Sequence, residues 1–366
     1  MSVQISYKKQ FLVWIFLGLI LLTIVETSLR IYENELSVSS CSVMSSAAYD
    51  DTEHELKEQI CKDMNKLVYE KPDITRNQPN QHYETINVNS YGFRGEEITK
   101  EKSSETFRIF MVGGSTVFGA GSSSDDKTIT GHLEKLLDKE IRDYKFEVIN
   151  AGVPGANSVR EEYLIKESLL EFNPNMIIIY DGLNDAANAI INKNDLGKPS
   201  ENQLETNQKE IDNIISKYFQ WYRTPFMLNY LIFENTSLIS YNENSIEEMK
   251  DNWYNRWSSM CEFGNSNNIE IIIALQPVLG TGNKILFNDE ITNAELYESK
   301  MNLKAINQLE EPLNKLSKVC SNTLDLRNAF DKIEKPIFYD LGHTNELGNE
   351  IIAKKIFESI QPGLPN

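Results

Sequence analysis

From Arg108 onward, short apolar runs alternate with segments of helical spacing, and this alternation restricts the fold more than any other feature of the chain. RIFMVGG at Arg108–Gly114, FEVINAG at Phe146–Gly152, MIIIYDG at Met176–Gly182 and IEIIIALQPVLG at Ile269–Gly280 have strand length, and NTLDLRNAF at Asn322–Phe330 is a weaker fifth. TITGHLEKLLDKEIRD, VREEYLIKESLLEF, SIEEMKDNWYNRWSSM, ELYESKMNLKAINQLEEPLNKLSKV and NELGNEIIAKKIFESI carry apolar residues at helical spacing. Continuous apolar runs are buried on both faces, so the pattern predicts an α/β fold with a mostly parallel sheet covered by helices on both sides. On such a sheet, ligands sit beyond the carboxyl ends of the strands.

Several of those ends run into conspicuous turns. GGST spans Gly113–Thr116, NAGVPGANS spans Asn150–Ser158 and YDGLNDA spans Tyr180–Ala186; a fourth turn, FYDLGHTNELG, spans Phe338–Gly348. If each contributes to one rim, Ser115, Gly155, Asn184, Asp340 and His343 converge. Ser115 would attack, His343 would take its proton, and Asp340, three residues earlier, would fix the imidazole tautomer. The N–H groups of Ser115 and Gly155 and the side-chain amide of Asn184 would then surround a developing oxyanion. Each residue also has a plainer use. Serine and glycine favour turns, a Gly-Asn-Asp stretch favours a cap, and Asp340 and His343 could cap a helix starting near Asn345. Their order and their shared position at strand ends favour catalysis.

Rival uses of the glycine-rich turn fail on detail. A Walker loop needs Gly-Lys-Ser/Thr, yet no lysine occurs between Arg108 and Lys127. Gly119 and Gly121 lack the third glycine of a dinucleotide fingerprint, and Val117 stands where an α/β-hydrolase elbow requires glycine. No HExxH or Cys/His cluster points to a metal, and no cofactor is expected.

The ordered set GGST, VPGANS, GLND and DLGH resembles the sequence blocks of the SGNH, or GDSL-type, hydrolases, over about Thr85 to Ile360. With NSYGFRGEE upstream, the chain is similar to membrane-anchored members. The resemblance implies a flavodoxin-like three-layer α/β/α fold, with Ser115 as nucleophile, Gly155 and Asn184 as oxyanion donors, and Asp340 and His343 completing the triad. Two departures stand out: Gly114 replaces the aspartate of GDS, and a long insertion follows Asn184.

Ahead of this region, FLVWIFLGLILLTIV runs from Phe11 to Val25 without a charge, after Lys8 and Lys9. Thr27, Ser28 and Leu29, with snorkelling Glu26 and Arg30, extend it toward a transmembrane span. A cleaved signal peptide is the competing reading, but the small-residue stretch SSAAYD comes about twenty residues too late for its cleavage site. Basic residues before the apolar run put the remainder of the chain on the extracytoplasmic side. The expected organisation is a membrane anchor over 1–35, a membrane-proximal stalk and lead-in segment over 36–105, and a hydrolase domain over 106–362. An insertion at about 187–244 would cap the site.

Cys41, Cys61, Cys261 and Cys320 all follow the apolar run. Three pairings exist. Cys41–Cys61 with Cys261–Cys320 is expected because each pair lies in one region, with free buried thiols as the alternative. The formal charge of −18 argues against nucleic acid, which demands clustered Lys and Arg. The expected function is a serine esterase acting through an acyl-enzyme on O-acyl or O-acetyl groups of envelope glycans or lipids. The alternatives are an O-acyltransferase using the same site and a catalytically idle glycan-binding domain.

Overall fold

The structure is a computed structural model that describes residues 6–39, 41–69, 76–142, 144–190 and 243–364. Of the insertion expected at 187–244, residues 191–242 lie outside the described residues. The chain divides into two compact units, one of Met1–Ser40 with Lys193–Leu238, the other of Cys41–Asn192 with Ile239–Asn366. In the first, helix α1 (Tyr7–Ser39) includes a 23-residue stretch, Tyr7–Leu29, long and apolar enough to cross a membrane. An export signal meets the same requirement.

The second unit contains all the expected strands. A short antiparallel pair, β1 (Gln81–His82) and β2 (Asn87–Val88), comes first. The main sheet comprises β3 (Thr106–Gly113), β4 (Lys145–Gly152), β5 (Met176–Asp181), β6 (Glu270–Leu275) and β7 (Asn322–Asp325). Its order is β4-β3-β5-β6-β7, with every pairing parallel. Renumbered from its first strand, this is the 2-1-3-4-5 order of the flavodoxin-like doubly wound fold.

Alternation along the strands divides the core in two. Phe110, Val112, Ile177, Ile179, Ile271 and Ile273 face one side. There they meet Ala186 of α7 (Leu183–Ile190) and Trp253 and Trp257 of α8 (Glu243–Asn267). Ile109, Met111, Ile178 and Ile272 face the other side, against α5 (Ile129–Glu140) and α12 (Glu346–Ile360). The result is three layers, α/β/α. Both long helices begin at side-chain caps: Thr128 accepts from Gly131 N–H and Asn345 from Gly348 N–H.

Of the segment 36–105 expected as a stalk and lead-in, residues 41–69 and 76–105 belong to the second unit. Helix α3 (His54–Lys66) is tied to the preceding segment by the Cys41–Cys61 disulfide and buries Ile60 and Cys61. Farther on, Arg94 N–H bonds Asn150 O at 3.1 Å beside β4, and Asn77 Nδ2 donates to Gly152 O at 3.0 Å. The polar composition was misleading because these side chains serve internal backbone groups instead of water: Asn77, Thr85, Asn89 and Arg94 are all buried.

A second disulfide joins Cys261 of α8 to Cys320, just before β7, so all four cysteines are paired as expected. Replacing both Cys261 and Cys320 with alanine should cost roughly 2–5 kcal/mol in a urea melt, as loss of such cross-links does elsewhere. An unchanged midpoint without reductant would show that the bridge adds nothing.

Candidate active site

Parallel register brings the turns to one level. Gly113 pairs with Gly152 on β4 and with Tyr180 on β5, so the chain leaves all three strands together. Ser115 follows as the first residue of α4 (Ser115–Phe118), a single turn whose own N-terminal amides have no intrahelical acceptor. Among the described residues, the N–H groups of Ser115 and Gly155 have no protein acceptor. Asn184 lies in the first turn of α7, and its Nδ2 donates to Ala156 O at 2.5 Å. A Cβ at Gly114 would run into that same amide, so Gly114, Ala156 and Asn184 are immediate neighbours. Gly155 sits at φ +75°, where a side chain would be strained, and a Cβ there would meet only open space.

The fourth turn closes over this group. Ser115 Oγ lies 2.6 Å from His343 Nε2, and His343 Nδ1 lies 2.7 Å from Asp340 Oδ2. The other Asp340 oxygen accepts from the N–H groups of Gly342 and His343 at 2.9 and 2.8 Å. Asp340 therefore shapes the turn as well as orienting the ring. Because a carboxylate only accepts, Nδ1 carries a proton and Nε2 presents its lone pair to the serine hydroxyl. The capping role considered for Asp340 and His343 belongs to Asn345.

Electrostatics favour proton transfer to the ring. Burial disfavours the imidazolium of His343, but the charge and hydrogen bond of Asp340 outweigh it and lift the pKa above the usual histidine value. Burial likewise raises Asp340, yet the His343 charge and the hydrogen bonds from His343 and Gly342 leave it lowered. Each partner favours the charged form of the other, Asp340 as the carboxylate and His343 once it has taken a proton.

Other side chains, several of them within the quoted motifs, support the turns without joining the Ser115–His343–Asp340 contacts. Arg94, fully buried, donates to Phe118 O and Gly119 O at the end of α4, to Thr85 O, and to Asp125. Asn150 Nδ2 donates to Val117 O at 2.7 Å. Asp185 accepts from the N–H and hydroxyl of Ser158, fixing the far end of the Gly155 loop. Burial pushes Asp185 up, and it pushes Asp181 and Glu161 well up, with the neighbouring carboxylate charges adding to both. Asn150, Ser158, Asp181 and Asp185 lie in the turns quoted from the sequence and Arg94 in NSYGFRGEE, but nothing in those stretches announced these supporting contacts. Among the described residues, no group of three or more His, Cys, Asp or Glu could hold a metal ion.

A serine, an imidazole and a carboxylate in hydrogen-bond contact at the switch point of a doubly wound sheet define a serine-hydrolase type of site. Residues 109–356 match the sequence profile described as GDSL-like Lipase/Acylhydrolase. The chain belongs to that family and is an ester-hydrolysing enzyme. Curated proteins give no match. Among solved structures, an acetyl xylan esterase is 14% identical, covering 69% of this chain and 98% of its own, with a TM-score of 0.41. A catalytic mutant of an acetylxylan esterase from Geobacillus stearothermophilus is 15% identical over 72% of this chain and 96% of its own, TM-score 0.42. A two-domain esterase active on acetylated mannans is 13% identical over 70% of this chain and 49% of its own, TM-score 0.39. These are likenesses at low identity, and none bears on this chain's substrate.

If Asp340 is what lifts His343, then Asp340→Asn leaves burial unopposed and the imidazole pKa falls below 6.5, its ordinary value. Histidine-selective NMR titration reads this directly. A midpoint unmoved by the substitution would contradict the pairing.

Proposed function

We propose that Ser115, His343 and Asp340 form the catalytic triad of a serine esterase that works through an acyl-enzyme. The observation that carries this reading is the continuous chain from Ser115 Oγ to His343 Nε2 at 2.6 Å and from His343 Nδ1 to Asp340 at 2.7 Å. As Ser115 Oγ attacks the ester carbonyl carbon, its proton passes to Nε2. The resulting oxyanion is held by the N–H groups of Ser115 and Gly155 and the amide of Asn184. The carbon–oxygen bond to the alcohol breaks, and His343 returns the proton to the departing alkoxide. Water then attacks the acyl-serine carbonyl while His343 takes its proton, the bond to Ser115 Oγ breaks, His343 returns the proton to Oγ, and the acid leaves.

The substrates of this reading are O-acyl or O-acetyl groups on envelope glycans or lipids outside the membrane. Residues 1–35 act as a retained anchor, and the hydrolase domain of 106–362, with its insertion at about 187–244, lies on the extracytoplasmic side. Two features support that placement. Lys8 and Lys9 precede the apolar stretch, and all four cysteines are in disulfides, which persist in oxidising compartments.

Hydrolysis of p-nitrophenyl acetate and acetate release from acetylated polysaccharide should both fall more than about 10³-fold in Ser115→Ala and in His343→Ala. Asn184→Ala should lose roughly 10² to 10³ in kcat with little change in KM, because an oxyanion donor acts mainly in the transition state. Near-normal turnover in a folded Ser115→Ala protein would overturn the reading. Transfer of the acetyl group to an added glycan in preference to water would redirect it to an acyltransferase.

A further inference from the structure

Behind the imidazole lies a second ring that the triad does not require. Tyr339 stacks on His343 with centroids 5.5 Å apart and planes inclined by 16°. Its hydroxyl donates to Ala120 O at 2.8 Å, in the turn that follows α4. Tyr49 meets the same ring edge-on at 5.5 Å and donates its own hydroxyl to Gly121 O at 2.7 Å. Both tyrosines are buried, and the space they share exists because Gly121 has no side chain: a Cβ there would lie 2.6 Å from Tyr49 Oη and 2.8 Å from the Tyr339 ring.

The clamp itself is fixed. Ser46 Oγ and Ala47 N–H donate to Asp289 at 2.7 and 2.9 Å, and Asn345 Nδ2 donates to Ala48 O at 2.8 Å. Asn345 belongs to the His343 turn, so the segment around Tyr49 grips both the ring and the loop that carries the base. An aromatic face carries partial negative charge and attracts a cation lying within about 6 Å of its centroid. His343 is neutral at rest and cationic once it has taken a proton, so the contact strengthens along the reaction.

We propose that Tyr339 is a positioning residue for the general base, its ring stabilising the His343 imidazolium formed when Ser115 is deprotonated, and that Tyr49 clamps this ring. The inference rests on the roles proposed above for Ser115 and His343. The charged groups around the stack are Asp340 on the same turn, Glu346 at the start of α12 and Arg94 from the segment before β3. Asp340 supplies the main stabilisation of the imidazolium. The ring adds to it. Burial pushes both tyrosine hydroxyls far up, so they remain neutral donors across the working range.

The test uses the full chain in detergent micelles with histidine-selective NMR labelling, His343 being assigned by its missing signal in His343→Gln. Tyr339→Leu should lower the His343 midpoint by roughly 0.5 to 1.5 pH units and reduce kcat about 3- to 30-fold, with KM within about twofold. Tyr339→Phe keeps the aromatic face and should hold both values close to those of the unmodified protein. Tyr49→Leu frees the ring and should move the midpoint part of the way in the same direction. A folded Tyr339→Leu protein with an unmoved midpoint, or Tyr339→Phe as impaired as Tyr339→Leu, overturns the proposal. If Tyr339→Leu does not fold, Tyr49→Leu carries the test, and an unmoved midpoint there overturns it equally. The midpoint needs no turnover, so failure of the Ser115 assignment would be seen separately, as activity retained in Ser115→Ala.

Discussion

Parallel pairing of the central strands is the constraint on which the site depends. When β4, β3 and β5 run in the same direction with Gly113 opposite both Gly152 and Tyr180, three chain segments must leave the sheet at one edge and one height. The first turn then delivers Ser115, the second Gly155 and the third Asn184. The order of the sheet places the first and third next to each other, where the winding reverses and helices leave a crevice. The fourth turn arrives from beyond β7 and is drawn over by contacts between His343 and Ser115 and between Glu346 and Ser123. An antiparallel sheet of the same residues would scatter these turns between two edges.

Within the crevice, charge is arranged to favour one proton movement. Asp340 sits in a pocket that would raise a lone carboxyl, yet three hydrogen bonds and the facing ring keep it ionised. That fixed negative charge makes the imidazole a better acceptor than burial alone would allow. Behind the Gly155 loop the balance is opposite. Asp181 and Glu161 are driven toward the neutral form by burial and by their acidic neighbours.

The alternation of apolar runs was legible because it reflects burial on both faces of a sheet, and each of the five runs became a strand. The turns were legible because glycine, asparagine, serine and histidine cluster there in short blocks with local reasons for being there. The segment 41–105 was not legible in this way. Arg94, Asn77 and Asp63 look like solvent-facing residues, but each bonds backbone groups of segments distant in sequence. Tyr49 and Tyr339 are separated by most of the domain, and neither has a spacing that could announce the contact. Local pattern reports local structure, and polar burial satisfied from afar leaves no period to read.

The proposed chemistry predicts a covalent intermediate at one atom. Rapid acid quench during turnover of an activated ester, followed by peptide mapping by mass spectrometry, should find the acyl mass on the peptide containing Ser115, and not in His343→Ala. An acyl group on a different residue, or steady turnover with no adduct at any time point in a protein that shows a burst, would contradict the account.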